Sequence, residues 1–337
     1  MAHIKKLALI PTGGTIGILA EDIYNNFDYG SDGNGRYATL EELRSRTDLS
    51  KLEKALKKEI QIEHFKPIDS TAMTPKLWFD LARRCDDLSQ ASEIDGIVIS
   101  HGTATMEETA FALSLVMRLR VPVIITGSMR PLNGMSSDAM ANLTAAFHVA
   151  AHKYKEEQPG VLVVINNEIH LSIHVKKTHV STLNTFKSPN FAPIGQVGCD
   201  GVRFLQEPKW SYDSEFDRKA LLIFPRVDIL TSYCGADETL IDFLVGSGAK
   251  GIVLEGFPPG LGTPQQTKGL VNAISKDVIV VQAASADGEV INSADHQKLD
   301  IIAAGFLTSK RARILLGFCL ANRFAKEDIA AIFKKFQ

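Results

Sequence analysis

The chain has 337 residues, 45% hydrophobic and 23% charged, with a formal net charge of −2. That length holds one large domain or two ordinary ones, and the composition is that of a soluble globular protein with a substantial core. So small a net charge excludes a general electrostatic grip on nucleic acid or on an anionic membrane surface. The pairs Lys176-Lys177 and Lys334-Lys335 are read as solvated faces. No apolar run approaches the roughly 20 residues needed to span a bilayer. The stretch after Lys5-Lys6 is too short for a signal-peptide core. Cys85, Cys199, Cys234 and Cys319 are scattered without CxxC spacing. Reduced thiols in a cytoplasmic protein are expected from this, not a disulfide framework or a zinc site.

Along the chain, short β-branched runs alternate with helical patterns. Residues 7–10, 96–100, 121–126 and 160–165 are continuously apolar, as strands covered on both faces are. Residues 60–65 alternate apolar and polar and predict a more exposed strand. Thr74-Pro75 places a capping hydroxyl before a proline suited to the first helical position. Thr105-Met106-Glu107-Glu108 has capping-box spacing and leads into Ala110, Leu113, Val116 and Met117 at helical intervals. Residues 136–153 repeat that pattern. The periodicity fades from Val175 to Asp213, where irregular strands and then a linker near 206–214 are expected. Beyond it, strands are predicted at 220–224, 251–255 and 278–282. Helices are predicted at 238–245, from Thr263-Pro264, at 310–322 and at 326–336. The alternation implies layered α/β architecture with a parallel sheet.

Two turns stand out. Thr12-Gly13-Gly14-Thr15-Ile16 follows the first strand, and His101-Gly102-Thr103-Ala104-Thr105 follows the run at 96–100. In an open parallel sheet the carboxyl ends of the strands are where ligands bind. Each turn alone is equally a tight strand-to-helix connection in which glycine supplies backbone freedom. Neither is a GxGxxG or Walker phosphate loop.

Taken in order, the motifs say more. Thr12-Gly-Gly-Thr15-Ile, Asp69-Ser70-Thr71-Ala72-Met73, His101-Gly-Thr-Ala-Thr105-Met-Glu-Glu and Thr126-Gly-Ser-Met-Arg130-Pro together resemble the bacterial-type L-asparaginase (asparaginase/glutaminase) family. Phe186-Lys-Ser-Pro-Asn190 and Ser309-Lys-Arg-Ala-Arg313 extend the likeness over almost the whole chain. The resemblance implies a two-domain α/β fold. Its parts are an N-terminal domain over residues 1–208, with a parallel-rich sheet flanked by helices, and a smaller flavodoxin-like C-terminal domain over 215–337. It implies hydrolysis of L-asparagine to aspartate and ammonia, without metal or organic cofactor. It also implies a homodimer or homotetramer, with a small-molecule amide as the other partner and no nucleic acid or membrane.

The resemblance assigns roles as well. Thr15 matches the family nucleophile, which is paired with a tyrosine on the loop after the first strand. Tyr24, Tyr29 and Tyr37 all lie there; Tyr29 is taken first and the others stay open. Thr103 supplies the threonine of a Thr-Asp-Lys group whose lysine is expected at Lys153, after the following helix. Gly14, Ser70, Thr71, Gly102 and Ala104 are expected to line the substrate, Ser70 and Thr71 holding its α-carboxylate.

Ala104 departs from the pattern, because the family has aspartate there. That carboxylate normally contacts the substrate's α-ammonium and orients the lysine. Its loss removes a charge-assisted hydrogen bond of about 1.5–3 kcal/mol and disfavours a free amino acid as substrate. Ala72 and Ser293 also stand where members carry Asp or Asn and an acidic residue, and Leu171-Ser172-Ile173-His174 replaces a glycine-arginine turn. Three readings follow: an ordinary asparaginase with an introduced alanine, a hydrolase of another amide, imide or lactam lacking a free α-ammonium, or a catalytically weak binding or regulatory member. Retention of Thr15, Thr103 and Lys153 counts against the third.

Overall fold

The structure, a computed structural model, describes residues 5–29, 35–117, 120–154, 160–207, 216–258 and 260–337. The chain divides into two units, the first running to Ser214 and the second from Glu215. From residue 208 on, the expected linker at 206–214 lies outside the described residues.

The strands of the first unit are β1 (Lys6–Pro11), β2 (Ile18–Ala20), β3 (Gly35–Tyr37), β4 (Glu59–Ile62), β5 (Ile94–Ser100), β6 (Val123–Thr126), β7 (Val161–Ile165), β8 (Glu168–Leu171), β9 (Lys176–Lys177), β10 (Phe186–Lys187), β11 (Gly195–Gly198) and β12 (Gly201–Phe204). Its helices are α1 (Leu40–Arg46), α2 (Leu49–Leu56), α3 (Pro75–Gln90), α4 (Met106–Val116) and α5 (Ala139–Ala150). Among the described residues the main sheet has eight strands in the order β12-β11-β8-β7-β6-β5-β1-β4. From β4 to β7 the pairings are parallel, and from β7 to β12 antiparallel. The central strands are apolar throughout because helices cover both faces. Leu7–Ile10, Ile97–Ile99 and β7 are almost inaccessible to solvent.

The predicted helices are present, the one expected from 136 starting at Ala139, and one expected cap does not form. Thr74 accepts from Leu77 N and Pro75 opens α3, which buries Trp78, Leu81, Ala82, Cys85 and Leu88 as one stripe. At α4 the expected capping box does not form. The Thr105 hydroxyl donates instead to Ser70 O at 2.7 Å, tying the helix start to the turn after β4. A capping box is present at α1, between Thr39 and Glu42, where none was predicted.

The second unit is a four-stranded parallel sheet among the described residues, β13 (Val227–Thr231), β14 (Gly251–Gly256), β15 (Ile279–Ala284) and β16 (Ile302–Ala303), in sequential order. Its helices are α6 (Thr239–Gly246), α7 (Pro264–Ile274), α8 (Ala294–Leu299), α9 (Ser309–Ala321) and α10 (Lys326–Lys334). The strand predicted at 220–224 is a 3₁₀ helix, Arg218–Ile223. Among the described residues no strand pairs with it; Asp217 caps it and Ala220 N bonds back to Asp217 O at 2.9 Å. Ser293 caps α8, accepting from His296 N and lying 2.7 Å from His296 Nδ1.

Two histidines of the first unit are fully enclosed. Burial pushes His101 down to about 4, opposed by its bond to the Gly102 carbonyl. Burial, assisted by Lys187, pushes His170 down to about 4 as well. Both are neutral at pH 7. Below 6.5, the ordinary histidine value, the unfolded chain binds protons that the folded chain refuses until about pH 4. Their contribution to stability is therefore complete above 6.5 and is lost as the pH drops toward about 4, by up to roughly 3 kcal/mol per histidine. Urea unfolding of the full chain at about pH 7 and about pH 5 measures this loss. His170→Asn should make the dependence shallower, and equal pH dependence in wild type and variant would contradict the assignment.

Candidate active site

β1 and β5 are neighbours, with Pro11 opposite Ser100, so the turns that follow them emerge side by side. Thr12 fastens the pair: its N–H and its hydroxyl both donate to Ser100 O, at 2.9 and 3.0 Å. Gly13 and Gly14 have φ of 105° and 74°, a region that suits glycine. A Cβ on Gly14 would lie 2.1 Å from Gly102 Cα, so the two turns touch backbone to backbone. A Cβ on Gly102 would in turn lie 2.5 Å from Ser70 Oγ. The turn after β6 completes the group, since a Cβ on Gly127 would fall 2.6 Å from His101 O and 3.2 Å from Thr103 Cγ2. Asp138, at the start of α5, accepts from Met129 N and Arg130 N, and Asn142 bridges Gly127 O and Asn166 N. The sequence reading missed both. Their only signal was an acid and an amide at the head of a predicted helix.

The side chains on these turns have distinct partners. Thr15 Oγ1 lies 3.1 Å from Tyr29 Oη. Tyr24 is exposed. Burial holds the Tyr37 hydroxyl above the ordinary tyrosine value, opposed by the nearby Gly14 backbone, with Asp69 adding to the rise. Thr103, itself buried, accepts from Lys177 Nζ at 2.9 Å. Lys177 sits on β9, and its backbone N–H donates to Glu107 Oε2 at 2.9 Å.

The expected lysine is thus displaced. Lys153 is exposed and follows α5, whose last residue lies over the beginning of β5: a Cβ on Gly96 would meet Ala150 O at 2.4 Å. A helix returning between parallel strands ends at the edge where those strands begin, opposite the edge that carries Thr15 and Thr103. Lys153 cannot reach Thr103 from there; Lys177 does.

Of the expected substrate residues, Gly14, Gly102 and Ser70 are buried together, and Ala104 is exposed beside them. Thr71 is exposed, and its N–H and hydroxyl both donate to Asp69 Oδ1, at 2.8 and 2.9 Å. His101 Nδ1 lies 2.8 Å from the Gly102 carbonyl. A carbonyl only accepts, so Nδ1 carries the ring proton and the buried Nε2 is left as an acceptor. Among the described residues no group of three or more His, Cys, Asp or Glu side chains is placed to hold a metal ion. A cavity of about 330 Å³ in the second unit, lined by His296, Lys326 and Lys334 among others, contains none of these residues.

The model of the asparaginase N-terminal domain matches residues 6–210, and that of the glutaminase/asparaginase C-terminal domain matches residues 226–333. This chain belongs to the asparaginase family. L-asparaginase 2 of Bacillus subtilis is 31% identical over 99% of this chain and 87% of its own length. Glutaminase-asparaginase of Pseudomonas fluorescens is 30% identical over 99% of this chain and 91% of its own. The solved structure of a "Probable Cytoplasmic L-asparaginase" from Campylobacter jejuni superposes with a TM-score of 0.85 at 31% identity, covering 98% of this chain and 99% of that one. The fold is therefore the family's two-unit α/β architecture.

The contact between the two glycine turns is open to test. Gly102→Ala would drive a methyl group into Ser70 and toward Gly14 Cα. It should lower stability by about 1–3 kcal/mol, read as a reduced urea midpoint. A midpoint equal to wild type would show that the turns have room to part.

Proposed function

We propose that this amidohydrolase cleaves a carboxamide by double displacement with Thr15 as nucleophile, and that Thr103 with Lys177 forms the proton relay. Thr15 Oγ attacks the carbonyl carbon while its proton leaves through Tyr29. The carbon–nitrogen bond breaks, and ammonia departs with the transferred proton. Water then cleaves the Thr15 ester, releasing the acid and restoring the hydroxyl. A hydroxyl is a weak nucleophile at neutral pH and needs such a partner. Backbone N–H groups of the turns stabilise the oxyanion, usually the largest single contribution to catalysis of this kind. A positioned proton relay typically adds about 10²–10⁴-fold. The observation carrying this reading is the pairing of Thr15 with Tyr29 and of Thr103 with Lys177 on turns whose glycines touch.

In this reading L-asparagine is the substrate and Ala104 impairs its turnover, because a methyl group offers the α-ammonium no charge-assisted partner. The exposed methyl of Ala104 also favours a second reading, in which the preferred amide, imide or lactam lacks a free α-ammonium. A homodimer or homotetramer and a cytoplasmic location belong to the same proposal. The location is supported by free cysteines and by the name of the C. jejuni protein.

Ammonia release from asparagine, glutamine and simple amides tests the assignment. Thr15→Ala should abolish it for every substrate. Ala104→Asp should raise kcat/KM on asparagine about 10- to 100-fold, the equivalent of one charge-assisted hydrogen bond. Unchanged asparagine turnover in Ala104→Asp would contradict the account of Ala104, and an active Thr15→Ala would remove the nucleophile.

A further inference from the structure

We infer that Glu107 is a positioning residue that fixes the Lys177 ammonium against Thr103. The inference rests on the Thr103–Lys177 relay proposed above.

Lys177 lies on a two-residue strand, β9, which pairs with the equally short β10 outside the main sheet. So short a ribbon has few ladder bonds with which to set the position of its own backbone. Thr178 beside it donates through N–H and hydroxyl to Thr185 O, both at 2.8 Å, and a further constraint on Lys177 comes from α4. Glu107, buried in the first turn of α4, accepts from Lys177 N at 2.9 Å across 70 residues of sequence. The same lysine's Nζ donates to Thr103 Oγ1 at 2.9 Å. Thr103 and Glu107 stand about one helical turn apart on the same chain segment, which Thr105 pins to Ser70 O. One element therefore grips Lys177 at both ends, at its backbone and at its ammonium.

A carboxylate in a first helical turn also favours the helix dipole, worth a few tenths of a kcal/mol to about 1. That role alone would leave Glu107 facing its own helix terminus, whereas its Oε2 is directed at another strand. If a reacting group is misplaced by about 1 Å, the rate falls by around 10² with little change in substrate binding. Glu107 should therefore act on kcat.

The test compares Glu107→Asp, Glu107→Gln and Lys177→Ala in the full chain, with ammonia release at saturating and limiting amide and thermal midpoints recorded. Glu107→Asp keeps the charge in the first turn of α4 and withdraws only its reach. It should lower kcat about 10- to 100-fold, with KM within about twofold and a wild-type midpoint. Glu107→Gln keeps an acceptor oxygen at the same distance and should retain most of kcat. Lys177→Ala should lose activity. Wild-type kcat in Glu107→Asp, or a Glu107→Gln as slow as Glu107→Asp, overturns the positioning role while the relay stands. Full activity in Lys177→Ala overturns the relay, and this inference with it.

Discussion

The contact between Gly14 and Gly102 is the constraint on which the site depends. Parallel pairing of β1 with β5 delivers two turns to one sheet edge, but pairing alone leaves room for side chains between them. Only the absence of a Cβ at both positions lets the backbones meet, and each glycine is followed by a threonine. Two threonines are thereby placed on adjoining turns from segments almost 90 residues apart. Ser70 and Gly127 close the contact from the turns after β4 and β6.

The site holds more hydroxyls than chemistry needs, and their hydrogen bonds sort them. Thr12 donates to Ser100 O, Thr105 to Ser70 O, Ser128 to Arg130 O and Thr71 to Asp69 Oδ1. A hydroxyl whose proton is held by a carbonyl or carboxylate of the scaffold, between turns for Thr12 and Thr105 and within one turn for Ser128 and Thr71, cannot attack without loosening that joint. Thr15 and Thr103 differ: the partner of one is a phenol hydroxyl, and that of the other an ammonium donor. This distinction, more than the glycine pattern, supports the chemical roles proposed for Thr15 and Thr103.

The fold was largely legible in the sequence because its strongest signals are local. Strands covered on both faces have to be apolar along their whole length, and Thr74-Pro75 and Thr263-Pro264 carry their own start signals. What failed was non-local. Lys153 rests on the family resemblance alone, and the direction of the helix before it carries that lysine to the opposite edge of the sheet. Lys177 lies where periodicity fades, beside a second lysine, and nothing local distinguishes it from a solvated pair. Its significance comes from Glu107 and Thr103, both distant in sequence. Thr105 failed as a cap for a related reason: Ser70 O competes for its hydroxyl, and only the folded sheet brings that carbonyl near. At 220–224 apolar composition predicted a strand, yet a strand also requires a neighbour with unpaired backbone groups.

The central claim, that Thr15 is the side chain whose oxygen bonds to the substrate carbon, is tested most directly by the covalent intermediate itself. Acid quenching during turnover of an amide substrate, followed by peptide mapping in a mass spectrometer, locates the acyl group. The account predicts an added acyl mass on the peptide containing Thr15, with the ester at that hydroxyl. An acyl group on Thr103, Tyr29 or any other residue, with Thr15 unmodified under conditions of rapid ammonia release, would contradict it.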